Sequence, residues 1–180
     1  MDPKKKEILN SFIKFYSHFG YKKTTMDDIA VDCGMSKKTI YNFFNSKEEI
    51  YSFLVKEKAS EYSISMNDKL LTVTGVFKKF NILIEMIFYE NYQWIKKGNN
   101  AFDFKNKYEI ASTAFEQAYT ELIKSMLIDG QSKNEISSGN IDINLRFIIS
   151  ILKEAMKLFN HSEDKSIQKH TIETVEKILK

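Results

Sequence analysis

Cysteine, proline, glycine, arginine and long apolar runs are all scarce in this chain. It holds one cysteine, Cys33, in 180 residues. That excludes an internal disulfide and a zinc site built on several thiolates, and so excludes a disulfide-stapled secreted module. One proline and six glycines are too few for the many turns of a sandwich or barrel. No apolar run approaches the ~20 residues that cross a bilayer. Ile82–Tyr89 is interrupted by Glu85, and Phe147–Leu152 is short. Lys4–Lys6 precede an apolar stretch, but Lys14 and His18 break it and no small-residue cleavage site follows. The expectation is a soluble, cytoplasmic protein. His18, His161 and His170 stand apart, without metal-ligand spacing. There is no Gly-rich phosphate loop, nucleophile elbow or His-Glu-x-x-His. No catalytic residue, metal or cofactor is expected.

What is present is helical patterning. Ile8, Phe12, Phe15 and Phe19 step by four, three and four, which is one face of a helix over 4–19 ended by Gly20. Thr25 with Asp28 is a capping signal for a second helix over 26–33. Gly34 suits a tight turn, and Ser36 is a good N-cap for a third helix over 37–44 that buries Ile40 and Phe44. Ser46 with Glu49 opens a fourth helix reaching about Met66. Residues 67–76 read as a connector. A buried helix follows over 76–97, broken at Gly98. Next come a short aromatic piece over 102–108 and a long helix to about Ile128. Gly130 and residues 131–140 read as a turn, with Asp142 capping the next helix. A last helix starts after His161–Asp164. The fold class expected is all-α.

Two short helices joined by a tight turn form a helix-turn-helix pattern. The small Ala30 allows the helices to cross closely, Gly34 turns the chain, and Ile40 locks the third helix onto the second. Its opposite face then presents Lys37, Lys38, Tyr41 and Asn42, with Thr39 at the edge. Residues 1–58 carry eleven lysines against eight acids, whereas the remainder balances sixteen against sixteen. The basic surplus lies where the helix-turn-helix lies, as expected of a surface that meets phosphate.

The stretch TTMDDIAVDCGMSKKTIYNFFNSKEEI, residues 24–50, resembles the N-terminal module of tetracycline-repressor-like (TetR family) transcriptional regulators. The matching features are Thr25, the Ile29–Ala30 pair, Gly34, Ser36–Lys37, Tyr41, Phe44 and Ser46–Lys47. The resemblance implies a three-helix DNA-binding head over 1–50. A helical effector-binding and dimerisation domain over 51–180 would follow, with the fourth helix, about 47–66, linking the two. It implies phosphate contacts from Thr25, Lys37, Tyr41 and Lys47, with Ser36 opening the third helix. Lys38, Thr39 and Asn42 would reach base edges. Two positions depart from the family pattern: Lys38 stands where many members have a small residue, and Phe43 where many have a polar one.

The partners this implies are double-stranded DNA, a second copy of the chain and a small apolar or aromatic effector; no membrane partner is expected. The dimer interface is expected on Leu145, Ile149, Leu152, Met156 and Phe159, together with Ile172, Val175 and Leu179. An aromatic-rich middle is the expected effector pocket: Met86, Phe88, Tyr89, Tyr92, Trp94, Phe102, Phe104, Tyr108, Phe115 and Tyr119. Arg146 is the only guanidinium, so a pocket that clamps a carboxylate bidentately is not indicated. The reading is a ligand-responsive regulator, most simply a repressor, acting as a homodimer on a pseudo-palindromic operator. Two competitors are a DNA-binding adaptor whose body holds a protein partner and no small ligand, and an enzyme using the helical body as a catalytic cavity.

Overall fold

The computed structural model describes the backbone of residues 1–97 and 104–180, and side chains outside 94–109 and residue 111. Among the described residues there are eight helices and no strand. They are α1 (Pro3–Lys23), α2 (Met26–Asp32), α3 (Lys37–Tyr41), α4 (Lys47–Leu71), α5 (Val76–Lys97), α6 (Phe104–Ser132), α7 (Ile141–Ser162) and α8 (Lys165–Leu179). The chain divides into two compact units. One is built on residues 1–58 and the other on residues 59–97 and 115–180.

In the first unit, Asp2 caps α1 by accepting from the Lys4 amide at 2.8 Å. Pro3 sits at the first helical position, where its missing N–H costs nothing. Gly20 breaks the regular helix at φ 76°, as its place in the sequence suggested. Thr24 then turns back, its amide and hydroxyl both donating to the Gly20 carbonyl. The Thr25–Asp28 capping box is complete in both directions. Gly34 takes φ 59°, the left-handed conformation that a tight turn between α2 and α3 requires. Ser36 caps α3 through the Thr39 amide. The core of this unit is Ile8, Phe12, Ile29, Ala30, Ile40, Phe44 and Ile50, all buried. Two expectations shift here. Phe19 is exposed rather than buried; beyond the Gly20 kink it is Tyr21 that turns into the core, edge-on to Phe12. The third helix ends at Tyr41, with Phe44 reaching the core from the turn that follows.

In the second unit, α5 lies against α7 and α8, which also pair with each other. Their contact faces bury Phe80, Leu83, Ile84, Ile87, Phe88, Ile148, Leu152, Val175 and Leu179 in one apolar cluster. Each such side chain is worth roughly 1.5–3 kcal/mol relative to exposure. Gly130 does not break the chain. It lies inside α6, and a Cβ there would stand 2.9 Å from Val76 Cγ2, so glycine permits close packing of α6 on the start of α5. Glu135 then accepts from the Val76 amide at 2.6 Å and caps α5. The N-cap of α7 is Asn140 rather than Asp142, with its side chain accepting from the Ile143 amide at 3.1 Å. The break expected at Gly98 and the first two residues of the piece expected over 102–108 lie outside the described residues, and from Phe104 on that piece is the start of α6 rather than separate from it.

Candidate nucleic-acid interface and body cavity

The α2–turn–α3 unit presents its polar face as the buried positions of Ile29, Ala30 and Ile40 dictate. Lys38, Tyr41 and Asn42 stand three and four residues apart, on one exposed side of α3. Neither the Lys38 nor the Asn42 side chain is engaged in a hydrogen bond with the described residues. Both are available to a ligand. Lys37 is exposed as well, but its Nζ lies 2.7 Å from Asp27 Oδ2, and that bond holds its pKa above the ordinary lysine value. Thr39 is half-buried and its hydroxyl is 2.8 Å from that of Ser36, so these two residues bind each other at the helix start.

The hydroxyl of Thr25 donates to Asp28 Oδ2 at 2.6 Å within the capping box. Lys47 holds a position that sequence reasoning did not anticipate. Its Nζ donates to the carbonyls of Tyr21 and Thr24, at 2.9 and 3.1 Å, and stands 4.3 Å from the centre of the Tyr21 ring. It ties α4 to the carbonyl end of α1. Beside it, Tyr21 bonds Glu48 and holds that carboxyl below the usual carboxylate range. The signal for this role is present in the sequence, as a lysine at the start of one helix and an aromatic at the end of another. Only the fold brings them together.

The expected effector residues separate into groups. Phe88 and Tyr119 are buried in the core. Phe115 is half-buried with its ring edge-on to Tyr62, whose hydroxyl donates to the Met86 carbonyl at 2.7 Å. Trp94, Phe102, Phe104 and Tyr108 lie outside the residues whose side chains are described. Tyr89 is exposed and Tyr92 half-buried. With Phe88, these two line a cavity of about 490 Å³ between α5 and the α7–α8 corner. Among the described residues Glu85, Gln93, Phe159, Glu163, Lys165 and Gln168 also line it. The corner is held by Glu163 in the left-handed conformation and by Asn91, which donates to Asn160 Oδ1 at 2.8 Å.

The expected dimer residues need correction. Leu152, Met156, Phe159, Val175 and Leu179 are buried within one chain, where they form its own core, and so are not free to touch a second copy. Leu145, Ile149 and Ile172 are half-buried against the same core. What α7 leaves outside is a different stripe: Ile143, Phe147 and Leu158, each more than half exposed. At 3.6 residues per turn these fall on one helical face. Periodicity alone does not separate the buried side of α7 from this exposed one, because α7 carries hydrophobic residues on two faces.

No described helix is long and apolar enough to cross a membrane. Among the described residues no group of three or more His, Cys, Asp or Glu side chains could hold a metal ion.

Comparison with known proteins agrees with this geometry. The family of bacterial regulatory proteins, tetR family, matches residues 8–52. The HTH-type transcriptional regulator YhgD of Bacillus subtilis is 33% identical over 144 residues, covering 77% of this chain and 72% of that one. The biofilm operon negative transcriptional regulator IcaR of Staphylococcus epidermidis is 30% identical over 96 residues, 51% of this chain and 50% of its own. Among solved structures, FadR of Bacillus subtilis in complex with stearoyl-CoA aligns over 94% of this chain and 96% of its own. Its TM-score is 0.65, at 17% identity.

Proposed function

The chain belongs to the tetR family of bacterial regulatory proteins, and from that premise we propose that it is a ligand-responsive repressor acting as a homodimer on a pseudo-palindromic operator. It is a sequence-specific DNA-binding regulator of transcription, and not an enzyme. The observation that carries the reading is the α2–turn–α3 unit, with Lys38, Tyr41 and Asn42 exposed on one side and Ile40 locked into the core on the other. Residues 1–50 form the DNA-binding domain, α4 is the link, and residues 51–180 form the effector and dimerisation domain. The place of action is the cytoplasm, where operator DNA is.

Lys38 and Asn42 read base edges, a lysine suiting guanine and an asparagine adenine. Tyr41, Lys37 and the start of α2 at Thr25 set register on phosphates. Two copies meet through the Ile143–Phe147–Leu158 face of α7, which puts two heads on symmetric half-sites. Repression is supported by the negative regulator IcaR among the relatives. A small-molecule effector is supported by the stearoyl-CoA complex of the FadR neighbour and by the aromatic cavity beside Tyr89 and Tyr92. Effector bound to the body favours a conformation whose heads no longer fit adjacent half-sites, a population shift that needs only a few kcal/mol of differential affinity.

Substitution on α3 tests the assignment. Asn42→Ala and Lys38→Ala should relax the preferred base at one position per half-site, each costing about 1–3 kcal/mol against the preferred sequence. Tyr41→Phe should weaken all sequences alike. Fluorescence anisotropy against a panel of single-base variants separates the two patterns. Unchanged base preference in both Asn42→Ala and Lys38→Ala would place the readout elsewhere.

A further inference from the structure

The described walls of the body cavity carry both aromatic rings and charged side chains. Phe88, Tyr89, Tyr92 and Phe159 line it, with Phe159 packed edge-to-face against Phe88 and Tyr92, and an aromatic face carries negative potential. Two carboxylates, Glu85 and Glu163, stand among them against one ammonium, Lys165. Among the described residues the formal balance at the wall is therefore negative. Tyr92 donates its hydroxyl toward Glu163 Oε2 at 3.5 Å, which holds that carboxylate beside the aromatic rings. Glu85 and Glu163 form no ion pair with the described residues, so their charge is not already neutralised by a neighbouring lysine. The third nearby acid, Asp164, is committed to capping α8: its carboxylate accepts from the Ser166 amide and hydroxyl, each at 2.8 Å. Gln93 and Gln168 add neutral amides at the rim. The volume of about 490 Å³ is that of a site for a drug-sized molecule.

We infer that this cavity binds an organic cation with an aromatic or apolar body. The cation would lie against the rings of Tyr89 and Tyr92 with Glu85 and Glu163 as counter-charges, the arrangement that favours cations desolvated on aromatic faces. An anionic headgroup in the same place would meet two carboxylates, a like-charge arrangement that suppresses binding. The inference deepens the effector reading given above, and rests on it for the consequence at DNA but not for the binding itself.

Tetraphenylphosphonium and tetraphenylborate, ions of the same shape and opposite charge, test it on the full chain by titration calorimetry. The phosphonium should bind about tenfold or more tightly than the borate. The double variant Glu85→Gln/Glu163→Gln should lose that preference, and Lys165→Ala should enlarge it. All three residues are exposed, and an unchanged far-UV circular dichroism spectrum and melting midpoint would show that the variants fold. If the double variant does not fold, Lys165→Ala decides alone. Equal affinity for the two ions, preference for the borate, or a preference untouched by these substitutions would overturn the cation site.

The same titrations, repeated with operator DNA present, separate this inference from the effector reading. Phosphonium binding that leaves DNA affinity unchanged would overturn the effector role of this cavity and leave the cation site standing. Release of DNA by a cell extract, without any phosphonium preference, would do the reverse.

Discussion

Asp27 and Lys47 alter how the basic charge of the head is used. Asp27 pairs with Lys37 across the α2–α3 turn, so a phosphate must displace a carboxylate before it can engage that lysine. Asp27→Asn should therefore tighten DNA binding, and the log–log slope of affinity against salt should steepen by about one contact. Anisotropy titrations at several salt concentrations read both quantities. An unchanged slope would mean that Lys37 does not meet DNA. The family resemblance implies a phosphate contact for Lys47, and its place in the fold adds a structural duty. Lys47→Ala removes two charge-assisted bonds to backbone carbonyls and should cost about 1–2 kcal/mol. The melting midpoint of the head should fall as well as DNA affinity. A drop in affinity with an unmoved midpoint would return Lys47 to a purely DNA-facing role. The sequence showed that α3 faces outward, because Ile40 and Phe44 leave no other orientation. It could not show that Lys37 is paired and Lys38 is not, since that depends on where Asp27 lies in space.

At the scale of elements, capping chemistry made the head readable almost residue by residue. Thr25–Asp28, Ser36 and Ser46–Glu49 mark helix starts that the structure reproduces. These are local interactions, decided within four residues of sequence. The body was less legible because its decisive interactions are long-range. Residues 131–140 look like a plain polar turn. In the structure Glu135 caps α5 from 59 positions away, and the Ser137 amide donates to the Leu179 carbonyl at 2.9 Å. Gly130 looked like a helix stop, and glycine does interrupt α1 at Gly20; here it lets two helices approach closely. Gly130→Ala should therefore destabilise the chain, by about 1–3 kcal/mol of overpacking against a gain of about 0.5–1 kcal/mol from the better helix former. Thermal unfolding measures the net effect. Combining it with Val76→Ala should restore part of the loss, because the clash is with Val76 Cγ2. A Gly130→Ala variant more stable than the parent would contradict the close packing.

For the whole molecule, the basic surplus, the exposed face of α3 and the apolar stripe on α7 answer one requirement. A head that reads a few base pairs gains affinity and address only when a second copy holds another head at a fixed spacing. The stripe of Ile143, Phe147 and Leu158 is the surface proposed to hold that second copy. The sequence alone does not single out this stripe, because α7 carries apolar residues both on its core face and on its exposed face. Selection of bound DNA from a random pool by the purified chain, beside its Phe147→Glu variant, shows whether two heads act as a pair. The parent should enrich two inverted half-sites with centres one helical turn or a whole number of turns apart. The variant should enrich a single half-site weakly or nothing at all. Enrichment of an asymmetric sequence by the parent, or of the same inverted pair by the variant with equal strength, would contradict the account.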